Sequence, residues 1–127
     1  MRFSILVVIA GLGLAIVTSP GWAHHSTIDI YDEEQTVEIT GEVVVWRLVN
    51  PHPYLVLEVT TPDGEVEEWD VSFGGSAAGP LRRRGYTPES FTPGEIVVVS
   101  GSPARAEDAH GLLVRGGITR EDGTSIP

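Results

Sequence analysis

Four histidines are the side chains of this sequence best suited to bind a metal, and two of them, His24 and His25, are adjacent. They follow Ala23, which with Gly21 supplies the small residues of a signal-peptide cleavage site. Cleavage after Ala23 gives His24 a free α-amine that can chelate a metal together with its imidazole Nδ1, and His25 adds a second imidazole. Nitrogen-rich, tetragonal ligand sets of this kind favour Cu(II). We therefore predict a copper site formed by His24, His25 and His52.

The third imidazole of this site is assigned by residue type and not by a fixed spacing. His52 lies in a short turn, and His110 lies in a polar loop predicted over residues 101–111. The alternative interpretation is that His24 and His25 are an incidental N-terminus and that His52 is a solvated turn residue.

A second candidate site combines two tryptophans with a rigid turn. The segment Asn50-Pro51-His52-Pro53 lies between Trp46 and Trp69, and the two prolines hold the turn stiff. Aromatic rings beside a few fixed polar groups are typical of a ligand-binding face. We interpret Trp46, Asn50 and Trp69 as a ligand or partner face, with a buried core position as the alternative for each tryptophan.

Composition excludes several classes of function. The chain has no cysteine, so it forms neither disulfides nor cysteine-ligated metal sites. It has 18 acidic residues against 8 basic ones, all arginine, and a net charge of −10. Nucleic-acid binding depends on clustered cations, and the one basic cluster, Arg82 to Arg84, is interpreted as the solvated end of a helix.

The sequence lacks the common catalytic motifs. It contains no Gly-x-Ser-x-Gly elbow, and its glycine-rich stretches lack the lysine of a phosphate-binding loop. The carboxylates between Glu65 and Asp70 alternate across two faces of a strand, so they do not form one acid/base pair. We therefore predict that the protein is not an enzyme.

Residues 1–23 are predicted to be a signal peptide. Arg2 precedes an apolar stretch over residues 3–17, which is shorter than the ~20 residues that span a bilayer. A retained N-terminal anchor is the alternative. We predict a periplasmic or secreted protein with no membrane span after cleavage, in which residues 24–127 form a single β-barrel domain.

Alternating apolar residues predict a domain made mostly of strands. A long first strand is predicted over residues 35–49, with a bend or bulge at Gly41 and burial of both faces around Val44, Trp46 and Leu48. The remaining predictions are strands over 54–60, 65–73, 96–100 and 112–119, a short helix over 77–84, and a frayed tail over 120–127.

This order of elements, with three strands, a helical connection and then two strands, is that of the OB-fold, a five-stranded Greek-key barrel. An all-β, OB-fold-like barrel with one short helix is therefore the predicted fold class. An open antiparallel sandwich is the alternative, because element order alone does not distinguish the two.

Four motifs of the chain belong together, and they are His24-His25-Ser26, Trp46 followed by Asn50-Pro51-His52, Arg82-Arg83-Arg84-Gly85-Tyr86-Thr87 and Pro93-Gly94-Glu95. With these motifs the sequence resembles a family of small exported bacterial proteins known only as a domain of unknown function. The chain departs from the family pattern at Tyr86, where tryptophan is common, and in a shortened loop after Arg105. The resemblance implies export and one small β-rich domain, and it implies no activity.

These observations predict an exported small binding module without catalytic activity that binds copper through its mature N-terminal histidines. Its partner is then a metal ion or a small ligand, and not a nucleic acid. The alternative is an interaction subunit that docks on another exported protein through the face of Trp46, His52 and Trp69.

Overall fold

The structure, a computed structural model, describes residues 26–127. These residues form six strands and two short helices. In chain order the elements are α1 Thr27–Ile30, β1 Val37–Arg47, β2 Tyr54–Thr60, β3 Val66–Ser72, α2 Ala78–Arg83, β4 Ile96–Pro103, β5 Gly111–Arg120 and β6 Ser125–Ile126.

Five of the strands close into a barrel. The strand order is β3-β2-β1-β4-β5, all antiparallel, and a parallel pairing of β5 with β3 at Val71 and Leu112 closes the sheet. The helix α2 connects β3 to β4, as the sequence predicts. The architecture is thus an OB-fold-like mixed barrel, and the open sandwich is wrong because β3 and β5 are paired.

A bulge in β1 explains why its apolar pattern changes phase. The register with β2 shifts between Val43 and Val45, which makes Val44 the extra residue. Before the bulge the buried residues have odd numbers, and after it Trp46 and Leu48 point inward. The prediction of two-sided burial was therefore wrong, because Val44 faces outward and is 40% exposed.

Gly41 is not the site of that bulge, and its role is to let two strands approach closely. A Cβ atom placed on Gly41 would lie 2.9 Å from the carbonyl oxygen of Glu58 and 3.0 Å from the Cβ of Leu57. Glycine is needed at this position because any side chain would collide with β2.

The two ends of the described chain are more ordered than the sequence predicts. The segment 120–127 is not frayed: β6 pairs with β5, and Ile126 is buried. At the other end, α1 precedes β1, and Tyr31 forms a bridge with Ala104.

The predicted loop over 101–111 is shorter than expected, because β4 continues to Pro103.

The core lies inside the barrel, with an aromatic cluster at the end nearest α2. Ring centroids of Trp46 lie 5.0 Å from Phe91, 5.5 Å from Phe73 and 6.0 Å from Tyr86. Burial of large aromatic surfaces is the main stabilising contribution for a small domain without disulfides.

Within residues 26–127, no helix is long and apolar enough to cross a membrane.

Candidate functional site

His52 is exposed on a turn that the rest of the fold holds firmly. Leu48, which precedes the turn, and Pro53, which ends it, are buried. The Asn50 Oδ1 accepts a hydrogen bond of 3.0 Å from the backbone N–H of Ala78, at the start of α2. The polar side chain of Asn50 therefore fixes the turn to α2.

The turn is joined to α2 by a second contact. The guanidinium of Arg82 donates a hydrogen bond of 3.2 Å to the carbonyl oxygen of Leu48. Arg82 thus has a structural contact, while its neighbour Arg84 donates to the Ser76 hydroxyl at 3.3 Å. Two of the three arginines of the basic cluster therefore stabilise loops around His52.

A cavity of about 320 Å³ lies beside His52 and has three walls. The first wall is the turn of His52 and Pro53, and the second is the turn from Ser72 to Ser76. Gly74 and Gly75 in the second turn have φ values of 69° and 74°, a conformation that favours glycine. This pair of glycines lets the chain reverse direction directly after β3.

The third wall of the cavity is the N-terminal segment of the described chain. Thr27, Ile30 and Tyr31 line the cavity opposite the two turns. Thr27 is the second of the described residues, so the described chain begins beside this cavity.

The residues that line the cavity include several with polar side chains. Its polar side chains are the His52 imidazole, the Tyr31 phenol and the hydroxyls of Thr27, Ser72 and Ser76. Imidazole nitrogen is a good ligand for copper, nickel and zinc. His52 is the one strong transition-metal ligand among the described residues that line this cavity, so a stable metal site here needs further ligands.

Trp46 does not lie on a face with His52. Its ring is buried in the core with Phe73 and Phe91, and its Nε1 donates a hydrogen bond of 2.9 Å to the carbonyl oxygen of Thr87. The core interpretation of Trp46 is therefore the one that the structure supports.

Trp69 is half-buried and belongs to a different cluster. Its ring stacks on the imidazole of His110 with centroids 5.5 Å apart, and its Nε1 donates a hydrogen bond of 3.0 Å to Glu67. The other oxygen of the same carboxylate lies 3.5 Å from His110 Nε2. The structure therefore places Trp46, Asn50 and Trp69 in three different environments.

The two described histidines do not share a metal site. His52 lines the cavity, whereas His110 contacts Glu67 and Trp69. No group of three or more His, Asp or Glu side chains is arranged to hold a metal within residues 26–127. His24 and His25 lie outside the described residues.

Two side chains outside the cavity, Tyr86 and Asp122, have shifted pKa values. Burial raises the pKa of the Tyr86 phenol in the aromatic cluster, and the nearby charge of Arg84 opposes this shift. Hydrogen bonds from Thr124 lower the pKa of the exposed Asp122 carboxyl, which lies in the turn before β6. Both shifts follow from local structure.

The residues that complete the cavity were not among the predicted site residues. Thr27 and Tyr31 lie in a segment without strand periodicity, and Ser72 ends β3. The paired glycines after Ser72 were the available signal, because Gly-Gly marks a sharp turn.

The fold and site define a small OB-fold-like barrel with a polar, histidine-containing surface cavity. A comparison with protein-family models matches residues 11–115 to a family of unknown function, DUF6152. The chain belongs to this family, which confirms the resemblance to a domain of unknown function. A comparison with curated proteins finds no match.

Proposed function

We propose that this protein is an exported binding module that holds copper through His24, His25 and His52 and has no catalytic activity of its own. The proposal rests mainly on one observation: Thr27, which follows His25 by two residues, lines the same cavity as His52. The two residues from His25 to Thr27 span at most about 7 Å, and the three from His24 span at most about 11 Å. The N-terminal imidazoles are therefore within reach of the cavity.

The proposed ligands have the chemistry that Cu(II) prefers. Signal-peptide cleavage after Ala23 frees the α-amine of His24, and this amine, the two N-terminal imidazoles and the His52 imidazole make a set of nitrogen ligands. Such sets suit tetragonal Cu(II), and without cysteine the site lacks the thiolates that select Cu(I). Export to the periplasm or the exterior is part of the proposal, because the α-amine of His24 exists only after cleavage.

A binding role is supported by the character of the cavity. Its walls supply hydroxyls and one imidazole, which are groups that fix the orientation of a small bound ligand. Docking on another exported protein is the second candidate. It has less support, because Trp46 is buried and so unable to serve as an anchor on the surface.

Calorimetric titration with Cu(II) tests the proposed function. The protein processed after Ala23 is compared with a variant that carries one additional residue before His24. We expect the additional residue to weaken copper binding by about tenfold or more, because it removes the amine–imidazole chelate.

A His110→Ala variant of the processed protein is the matched control. This substitution removes an exposed imidazole that contacts Glu67 and Trp69, so copper binding should not change. Equal affinity of the processed and extended proteins would contradict the proposed chelate.

A further inference from the structure

The outer face of β1, β2 and β3 carries an apolar patch that is separate from the barrel core. Val56 alternates with the inward-pointing leucines of β2, so it points outward, where it is paired with Val45 of β1. The bulge adds Val44, which is 40% exposed. None of these three valines belongs to the cluster of residues that packs inside the barrel. An apolar patch with a polar rim is typical of a protein interaction surface.

The rim of this apolar patch is a row of carboxylates two residues further along each strand. Glu58 is directly opposite Glu42 on one side and Glu68 on the other, and all three side chains are exposed. The ion pairs found within residues 26–127 join other carboxylates, so no arginine or histidine of that region neutralises this row. The row can therefore receive a cation from another molecule.

A depression of about 330 Å³ lies on the same face beside the carboxylates of Glu42 and Glu58. The other side chains that line it are two hydroxyls and two apolar groups, those of Thr40, Thr60, Val66 and Ile96.

The lining of the depression matches an arginine side chain in each part. A guanidinium carries a fork of N–H donors that binds carboxylates, and hydroxyl oxygens can accept its remaining donors. The aliphatic stem of arginine packs against apolar groups such as Val66, which is 62% exposed, and Ile96. An anionic group would instead be repelled by Glu42 and Glu58.

We propose that this face docks an extended segment of a partner protein, with an arginine side chain in the depression and an apolar side chain on the apolar patch. Side chains two residues apart on one face of an extended chain are separated by about 7 Å. The carboxylates of β1 and β2 are also two residues from the apolar patch, so an Arg-x-apolar segment lying along β2 matches both.

Charge complementarity favours this partner. Carboxylates directly opposite one another on neighbouring strands repel, and a bound guanidinium replaces that repulsion by attraction. The net charge of −10 also attracts a basic segment to the protein. The docking face uses none of the copper ligands proposed above, so the inference does not depend on the proposed function.

The test is an NMR titration of the processed protein, because backbone amide shifts report both the affinity and the place of binding. The probe is the acetylated and amidated peptide Gly-Ser-Arg-Ser-Leu-Ser-Gly. One comparison peptide has glutamate in place of arginine, and another has serine in place of leucine. Agmatine, a guanidinium compound without a peptide backbone, represents a small organic cation.

Three variants locate the contact. Glu42→Gln/Glu58→Gln removes the charge of the depression, and Val44→Thr makes the apolar patch more polar with little change in shape. The matched control is Glu89→Gln/Glu107→Gln, which removes the same charge from two exposed turns. Urea unfolding establishes that each variant is folded, as expected for substitutions of exposed side chains.

We expect the arginine peptide to shift amides of β1, β2 and β3, and to bind about tenfold more weakly to the Glu42/Glu58 variant. The loss should be about threefold for Val44→Thr and less than about twofold for the control. The peptides that lack arginine or leucine should also bind more weakly than the probe.

Four results would overturn the inference. Absence of shifts on this face would remove the site, and equal losses in the Glu42/Glu58 variant and its control would assign binding to total charge. Agmatine binding as tightly as the peptide would leave a site for small cations only. Self-association in sedimentation experiments that is lost in the Glu42/Glu58 variant would identify a second copy of the chain as the occupant. None of these results bears on copper affinity.

Discussion

His52 and Trp46 are close in sequence, but the fold gives them opposite environments. Trp46 follows the bulge at Val44, so its side chain points into the barrel and its Nε1 donates to Thr87. His52 comes after β1 has ended, on a turn held by Asn50, and it remains exposed. A substitution at Trp46 should therefore affect stability, and a substitution at His52 should affect binding.

Replacing Trp46 by phenylalanine tests this assignment. The variant loses part of the packing against Phe73 and Phe91 and leaves the Thr87 carbonyl oxygen without its donor. We expect the free energy of unfolding to fall by about 2 to 3 kcal/mol, measured by urea denaturation.

Trp69→Phe is the matched control for that measurement. Trp69 is half-buried and its hydrogen bond to Glu67 is partly solvated, so the loss should be about 1 kcal/mol or less. Losses of equal size in the two variants would contradict a core role specific to Trp46.

At the scale of the elements, strand positions were predictable, but the phase within β1 was not. Alternation alone located β2 at residues 54–60, as the structure has it. The consecutive valines around Val44 hide the bulge, because every register of an apolar run has the same pattern. The strand β6 has two residues, and Ile126 is its one buried residue. It is therefore too short to show the alternation from which a strand is predicted.

Two glycine-to-alanine substitutions compare a glycine at the close approach of two strands with a glycine in a short helix. Gly41→Ala places a Cβ 2.9 Å from a backbone oxygen of β2, so we expect a loss of about 1 to 3 kcal/mol in stability. Gly79→Ala lies in α2, where the nearest atom is an Arg83 nitrogen at 3.7 Å. Its effect should be within about 0.5 kcal/mol, because the helix preference of alanine is opposed by the steric restriction that Pro80 places on the residue before it. Thermal or urea unfolding of both variants measures the difference, and a stabilised Gly41→Ala would contradict the proposed contact.

A row of carboxylates crosses the outer face of the first three strands. Glu58 of β2 is directly opposite Glu42 of β1 on one side and Glu68 of β3 on the other. Like charges directly opposite one another on neighbouring strands are destabilising. This arrangement agrees with the strong net negative charge of the chain, and it makes a basic ligand more compatible with this face than an anionic one.

Glu58→Gln should therefore stabilise the protein by about 0.2 to 1 kcal/mol in low salt. The gain should shrink in high salt, because mobile ions screen exposed charges. The matched control is Glu38→Gln, since Glu38 is also exposed on β1 but lies opposite Ser100. Equal changes for the two variants in urea denaturation would show that total charge, and not the cross-strand row, is responsible.

For the whole molecule, the sequence predicted the barrel better than it predicted the site. The order of elements and the short α2 were sufficient to indicate an OB-fold-like barrel, because local patterns determine those features. The cavity of His52 combines α1, the turn after β1 and the turn after β3, which are distant in sequence. Residue types identified His52, but only the closed barrel brings Thr27 and Ser76 next to it.

The proposed function joins export, the N-terminal histidines and the cavity in one metal site. In this proposal, cleavage after Ala23 frees the α-amine of His24, and Thr27, two residues after His25, lines the cavity. A domain of this size has no disulfides to stabilise it, so the barrel must provide a rigid support for His52.

The most direct test is to count the imidazoles bound to Cu(II) in the processed protein by EPR with nitrogen hyperfine resolution. We expect imidazole signals from His24, His25 and His52 in the wild type, and the loss of one of them in His52→Ala with about a tenfold or greater decrease in affinity. Identical nitrogen couplings and affinities in the two proteins would contradict the proposed copper site.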